Sequence, residues 1–164
     1  MGSLPPKKLP YLPASYFHWT VATVFGSGFS SFAPGTVGSI VSLLIIYWIF
    51  PVSIPLQLIM LLGFTALAVY SSGIVAEMTE TKDPSVVVAD EFVGMFATFL
   101  FFPQPLRPDL MILGLVLFRI FDIWKPWPAY KLETLPGGFG IVLDDLVAGL
   151  YAMTLLHLAD WWLL

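Results

Sequence analysis

IPLQLIMLLGFTALAVYSSGIVA, residues 54–76, runs without a single charged side chain. As a helix it would extend about 34 Å, enough to cross the roughly 30 Å hydrocarbon core of a bilayer with some tilt. The charge-free stretch is longer still, because no Asp, Glu, Lys or Arg occurs from Leu9 to Ala76. Over all 164 residues, 58% are apolar and 11% charged, against about 25% charged in soluble domains. So few charges cannot cover a water-facing surface. The sequence therefore reads as an all-α, polytopic membrane bundle, with residues 1–13 as a mobile tail and 14–164 as one domain.

Working outward from that run, residues 14–25 (ASYFHWTVATVF) are too short to span and rich in aromatics. They read as an interfacial helix, stopped by Gly26. A Gly/Ser/Pro loop, GSGFSSFAPGTVGS, covers residues 26–39. Five membrane-embedded helices follow: about Thr36–Val52, Ile54–Ala76, Val86–Pro105, Leu110–Trp124, and a last one from Ile141 to Trp161 and Trp162. Lys7, Lys8, Lys82, Lys125 and Lys131 then fall on the side of the N-terminus and only Arg107 on the other. The excess of positive charge marks the N-terminal side as cytoplasmic.

That topology gathers Asp90, Glu91, Asp122, Asp144 and Asp145, from three helices, at one depth on the cytoplasmic face. Carboxylates at a membrane edge are costly unless paired or metal-bound. Adjacent acids, Asp90–Glu91 and Asp144–Asp145, call for a cation between them. An all-oxygen set suits Mg²⁺, with Mn²⁺ as an alternative. The bland reading, acids placed at helix starts by the dipole, explains either pair alone better than both together. Arg119, Asp122 and Lys125 recur at intervals of three, so they share a helix face until Pro126. Cations beside a divalent ion suit a phosphate, although an internal Arg119–Asp122 pair would need no ligand.

Two glycine-rich stretches precede helices and could approach an anion. Gly26, Ser27, Gly28 and Thr36 in the first, and Gly137 and Gly138 in the second, are candidate substrate contacts. Neither fits a nucleotide-binding template. His18 reads as interfacial and His157 as a packed or hydrogen-bonded core residue. The absence of cysteine excludes disulfides, thiolate nucleophiles and Cys-ligated zinc, and the net charge of −4 speaks against nucleic acid. An ion carrier would spread its acids through the midplane or over both faces, whereas here only Asp109 and Asp160 lie on the far side.

The blocks GSGFSSFAPGTVGS (26–39), VVVADEFVGM (86–95), FRIFDIWKPWP (118–128) and GGFGIVLDDLVAG (137–149) together resemble the phosphatidylglycerophosphatase A family. The resemblance implies a Mg²⁺-dependent monoesterase of the bacterial cytoplasmic membrane that acts on a phospholipid in the bilayer. It implies Asp90, Glu91, Asp122, Lys125, Asp144 and Asp145 as catalytic residues, the five carboxylates as metal ligands, and Arg119 and Lys125 as phosphate contacts. Glu91 is the first choice to orient the attacking water. Residues 129–136, AYKLETLP, depart from the family, with Glu133 standing where an Asp is common and no counterpart for the Arg beside it. Association into a homo-oligomer is compatible with this reading.

Overall fold

A computed structural model describes residues 13–163, and the expected mobile tail falls almost wholly outside that range. The described residues contain helices and no strand: α1 (Pro13–Ala22), a 3-10 turn (Ser27–Phe29), α2 (Pro34–Ile49), α3 (Ile54–Thr79), α4 (Ala89–Thr98), α5 (Pro108–Trp124), α6 (Ala129–Leu132) and α7 (Gly138–Leu163). Proline marks the first turn of α2, α3 and α5, where its missing N–H costs nothing. α5 ends on Lys125 in the left-handed conformation, just before Pro126, as the sequence indicates.

α3 and α7, each of 26 residues, are long and apolar enough to cross a membrane. α2 and α5, at 16 and 17 residues, fall below the roughly 20 that a full crossing needs. The larger departure is α4. A helix over Val86–Pro105 was expected, and the helical part is only the ten residues Ala89–Thr98.

The chain unwinds after Thr98 into short turns, with Phe101 in the left-handed region at φ 70°. Backbone polar groups buried there need partners, and two side chains supply them. Gln57 of α3, fully buried, donates to the carbonyls of Pro51 (3.0 Å) and Phe102 (3.2 Å). Its own oxygen accepts from the Phe101 amide at 2.7 Å. His157 of α7 lies 2.9 Å from the Leu100 carbonyl and stacks on Phe102. His157 is thus a hydrogen-bonded core residue, as read from the sequence.

The shortened α4 is the axis of the molecule, packed against α7, α2, α3 and α5. Val93, Met95, Phe96, Ala97 and Phe99 are inaccessible to solvent. Its closest approach is to α7, where a Cβ on Gly149 would collide with the Gly94 carbonyl. One on Gly94 would meet Phe118 and the Asp145 carbonyl. This glycine contact fixes the register of α4 on α7 one turn below their acidic residues.

Candidate active site

α4 and α7 begin, and α5 ends, at one end of the bundle, beside the start of α2. Asp90 and Glu91 stand in the first turn of α4, where the helix dipole favours them. α7 begins at Gly138, three residues before the expected Ile141, so Asp144 and Asp145 lie beyond its first turn and the dipole does not account for them. Arg119 and Asp122 come from α5, and Lys125 caps its end.

Glu91, Asp122 and Asp145 can each direct a carboxylate oxygen to within 4.8 Å of the others. Glu91 and Asp145 are buried, at 7% and 3% exposure. Arg119 closes one side of this group. Its Nη1 lies 2.7 Å from both Glu91 oxygens and 2.8 Å from Asp122 Oδ2. The Arg119–Asp122 pair therefore forms as the sequence allowed, and Glu91 joins it from another helix. Beside Arg119, the Ser39 hydroxyl of α2 lies 2.8 Å from Glu91 Oε2 and 3.5 Å from Arg119 Nη1. Gly35, one turn earlier, lies so close to Oε1 that a Cβ there would strike it.

Lys125 organises a second group. Its Nζ lies 2.7 Å from Asp144 Oδ2 and 3.6 Å from Glu133 Oε2. Half-burial alone would lower its pKa, but the hydrogen bond to Asp144 and the charges of Asp144 and Glu133 raise it instead, so it stays a cation. Glu133 ties the divergent 129–136 segment to the site. Asp90, in the first turn of α4, lies within Coulombic range of Glu91, Asp83 and Asp144.

The donor set tests well against a divalent metal. Asp90 Oδ1, Asp144 Oδ1 and Asp145 Oδ2 are buried with no hydrogen-bond partner. Buried carboxylate oxygens left unpaired are costly, and a hard cation with oxygen ligands would satisfy them. Two clefts, of about 530 and 560 Å³, lie around α1 and contain no charged residue. They are too apolar to be the seat of the chemistry.

The candidate substrate contacts are dispersed. Thr36 is exposed in the first turn of α2, and Gly137 is exposed at φ +58° before α7. Gly26 is left-handed, and Ser27 donates to the Thr23 carbonyl. Gly28 abuts the Val86 carbonyl, and Gly138 abuts Val69 on α3, so both allow close backbone packing. The sequence reading passed over Ser39 and Gly35. Their i, i+4 spacing at the head of α2 puts them on one face, but that becomes a signal only once Glu91 is known to lie opposite. His18 bonds Ser71 on α3 at 3.2 Å, away from the acids.

Comparison with known proteins places these residues in context. A family model described as phosphatidylglycerophosphatase A matches residues 20–160. A putative phosphatidylinositol-3-phosphatase of Bacteroides thetaiotaomicron is 38% identical over 161 residues, covering 90% of this chain and 96% of that one. The phosphatidylglycerophosphatase A of Escherichia coli K12 is 36% identical, covering 84% of this chain and 80% of its own. That of Haemophilus influenzae is 34% identical, covering 88% and 89%. No solved structure matches.

Proposed function

This chain belongs to the phosphatidylglycerophosphatase A family and is a phosphatase, and from that premise we propose that it hydrolyses the terminal phosphate of phosphatidylglycerophosphate in a Mg²⁺-dependent reaction. The products are phosphatidylglycerol and inorganic phosphate. The observation that carries the proposal is the Glu91–Asp122–Asp145 group with Arg119 and Lys125 beside it.

Glu91, Asp122 and Asp145 would hold the ion, which supplies charge neutralisation at the phosphoryl oxygens and activation of water. Arg119 and Lys125 grip the phosphate and stabilise the charge that develops as it is transferred. The water oxygen joins phosphorus, the bond from phosphorus to the glycerol oxygen breaks, and a proton from water ends on that leaving oxygen. Sequence favours Glu91 to orient the water, but its acceptors are largely committed to Arg119 and Ser39. Of the three cage carboxylates, Asp145 keeps a buried oxygen, Oδ2, without a hydrogen-bond partner. The role is assigned to Asp145.

The five helices α2, α3, α4, α5 and α7 are embedded in the bacterial cytoplasmic membrane, with the site facing the cytoplasm. Exposed aromatics support this placement, with Trp124, Trp127 and Phe139 at the site end and Trp48, Trp161 and Trp162 at the other. Such residues favour the two membrane interfaces. From Phe139 to Trp161 along α7 is about 33 Å by helical rise, close to a bilayer core. The apolar cleft between α1 and α4 includes Ala89 and Phe92, which flank Asp90–Glu91, and it suits acyl chains.

The test is phosphate release by the detergent-purified protein from phosphatidylglycerophosphate, with and without Mg²⁺. Phosphatidic acid and phosphatidylinositol 3-phosphate serve as comparison lipids, the latter prompted by the name of the Bacteroides relative. Metal-dependent release favouring the glycerophosphate lipid is expected. Preference for the inositol lipid would reassign the substrate, and release unaffected by chelator would overturn the metal dependence.

A further inference from the structure

The site holds more unpaired carboxylate than one ion accounts for. Asp90 and Asp144 stand outside the three-carboxylate group, yet each has a buried oxygen, Oδ1, with no hydrogen-bond partner. Asp144 is 3% exposed, and its other oxygen is already held by Lys125. Asp90 and Asp144 each precede a member of the first group, Glu91 on α4 and Asp145 on α7. One residue back along a helix turns the side chain about 100° and moves it 1.5 Å. Because Gly94 and Gly149 lock the two helices in register one turn below, the two preceding acids stand at the same level on adjoining helices.

We propose that Asp90 and Asp144 form a second divalent-cation position beside the Glu91–Asp122–Asp145 one, with the substrate phosphate shared between the two ions. The proposal rests on the lipid-phosphatase reading above. Two protein carboxylates are enough, because Mg²⁺ keeps several waters and is commonly held by one or two carboxylates plus substrate phosphate. Charge counting points the same way. The five carboxylates and Glu133, against Arg119 and Lys125, leave four negative charges. One divalent ion reduces these to two, and a phosphate monoester then brings up to two more. A second ion halves the excess that one ion would leave, from four to two, which favours it in a site shielded from water. A pair of ions, when bound, would supply more of the charge stabilisation that phosphoryl transfer needs than one ion could.

The experiment is Mn²⁺ binding to the full-length protein in detergent, followed by electron paramagnetic resonance. Stoichiometry and the dipolar signature of a close metal pair are read alongside turnover. Two ions per chain with a coupled spectrum are expected. Asp90→Asn should retain one ion and lose the coupling, and Asp144→Asn should do the same. Asp122→Asn, at the first position, should also drop to one ion. A single ion in the unmodified protein, or two coupled ions in both Asp90→Asn and Asp144→Asn, would overturn the second position. Two ions without turnover of any lipid phosphate would remove the proposed reaction and leave the second position standing. Turnover with one ion would do the reverse.

Discussion

The Ser39 hydroxyl lies 2.8 Å from Glu91 Oε2 and 2.8 Å from the Gly35 carbonyl, and it has one proton to offer. Its choice decides how firmly Glu91 is fixed. A hydrogen bond to a buried charged group contributes about 1.5–3 kcal/mol, so Ser39→Ala should lower kcat/KM by roughly ten- to a hundredfold. Steady-state kinetics on the lipid would check this, and an unchanged value would mean that Arg119 alone positions Glu91. Asp145→Asn removes a charge from the cage together with the acceptor assigned to the attacking water. It should cost about a thousandfold or more in kcat, with the circular dichroism and elution volume of the unmodified protein. The acids themselves were legible from the sequence, because charges inside an apolar chain stand out. Ser39 and Gly35 were not, since a serine and a glycine in a loop-rich stretch look the same with or without a carboxylate opposite.

At the scale of elements, α4 depends on close contact with α7 and on foreign partners for the turns beyond its end. Gly149→Val would drive a side chain into the Gly94 backbone, and overpacking of this kind costs about 1–3 kcal/mol. A lower melting temperature together with lost activity is expected, since the same contact sets the acids in register. Gln57→Leu tests the other end. It removes the partners of Phe101 N–H and of the Pro51 and Phe102 carbonyls, leaving buried groups unpaired at about 1–3 kcal/mol each. The melting temperature should fall while KM for the lipid stays near its original value, because Gln57 sits at the opposite end of the bundle. These features also explain where the sequence misled. Residues 86–105 read as one span because hydropathy registers composition and not backbone. The unwinding at Phe99–Phe102 is stabilised by Gln57 and His157, more than forty residues away in either direction, and nothing within the segment announces it.

Across the whole molecule the two ends differ in kind. The site end concentrates unpaired acid, whereas at the other end Arg107 engages both Asp109 at 2.6 Å and Asp160 at 3.0 Å. That separation is what the sequence reading used to favour an enzyme over a carrier. The absence of cysteine makes sidedness simple to test. Lys82→Cys should react with an impermeant thiol reagent only from the cytoplasmic face, and Ser53→Cys only from the other. Reaction of both from one face would overturn the proposed crossing of α3. The brevity of α4 has a consequence for biogenesis. It leaves the ribosome headed by two acids and too short to partition into lipid alone. α7, its main partner, follows only after α5 and α6. In the proposed membrane placement, insertion would not proceed as a file of independent spans, and a nascent chain halted before Gly138 would hold α4 without its main partner, in view of the membrane's quality-control proteases.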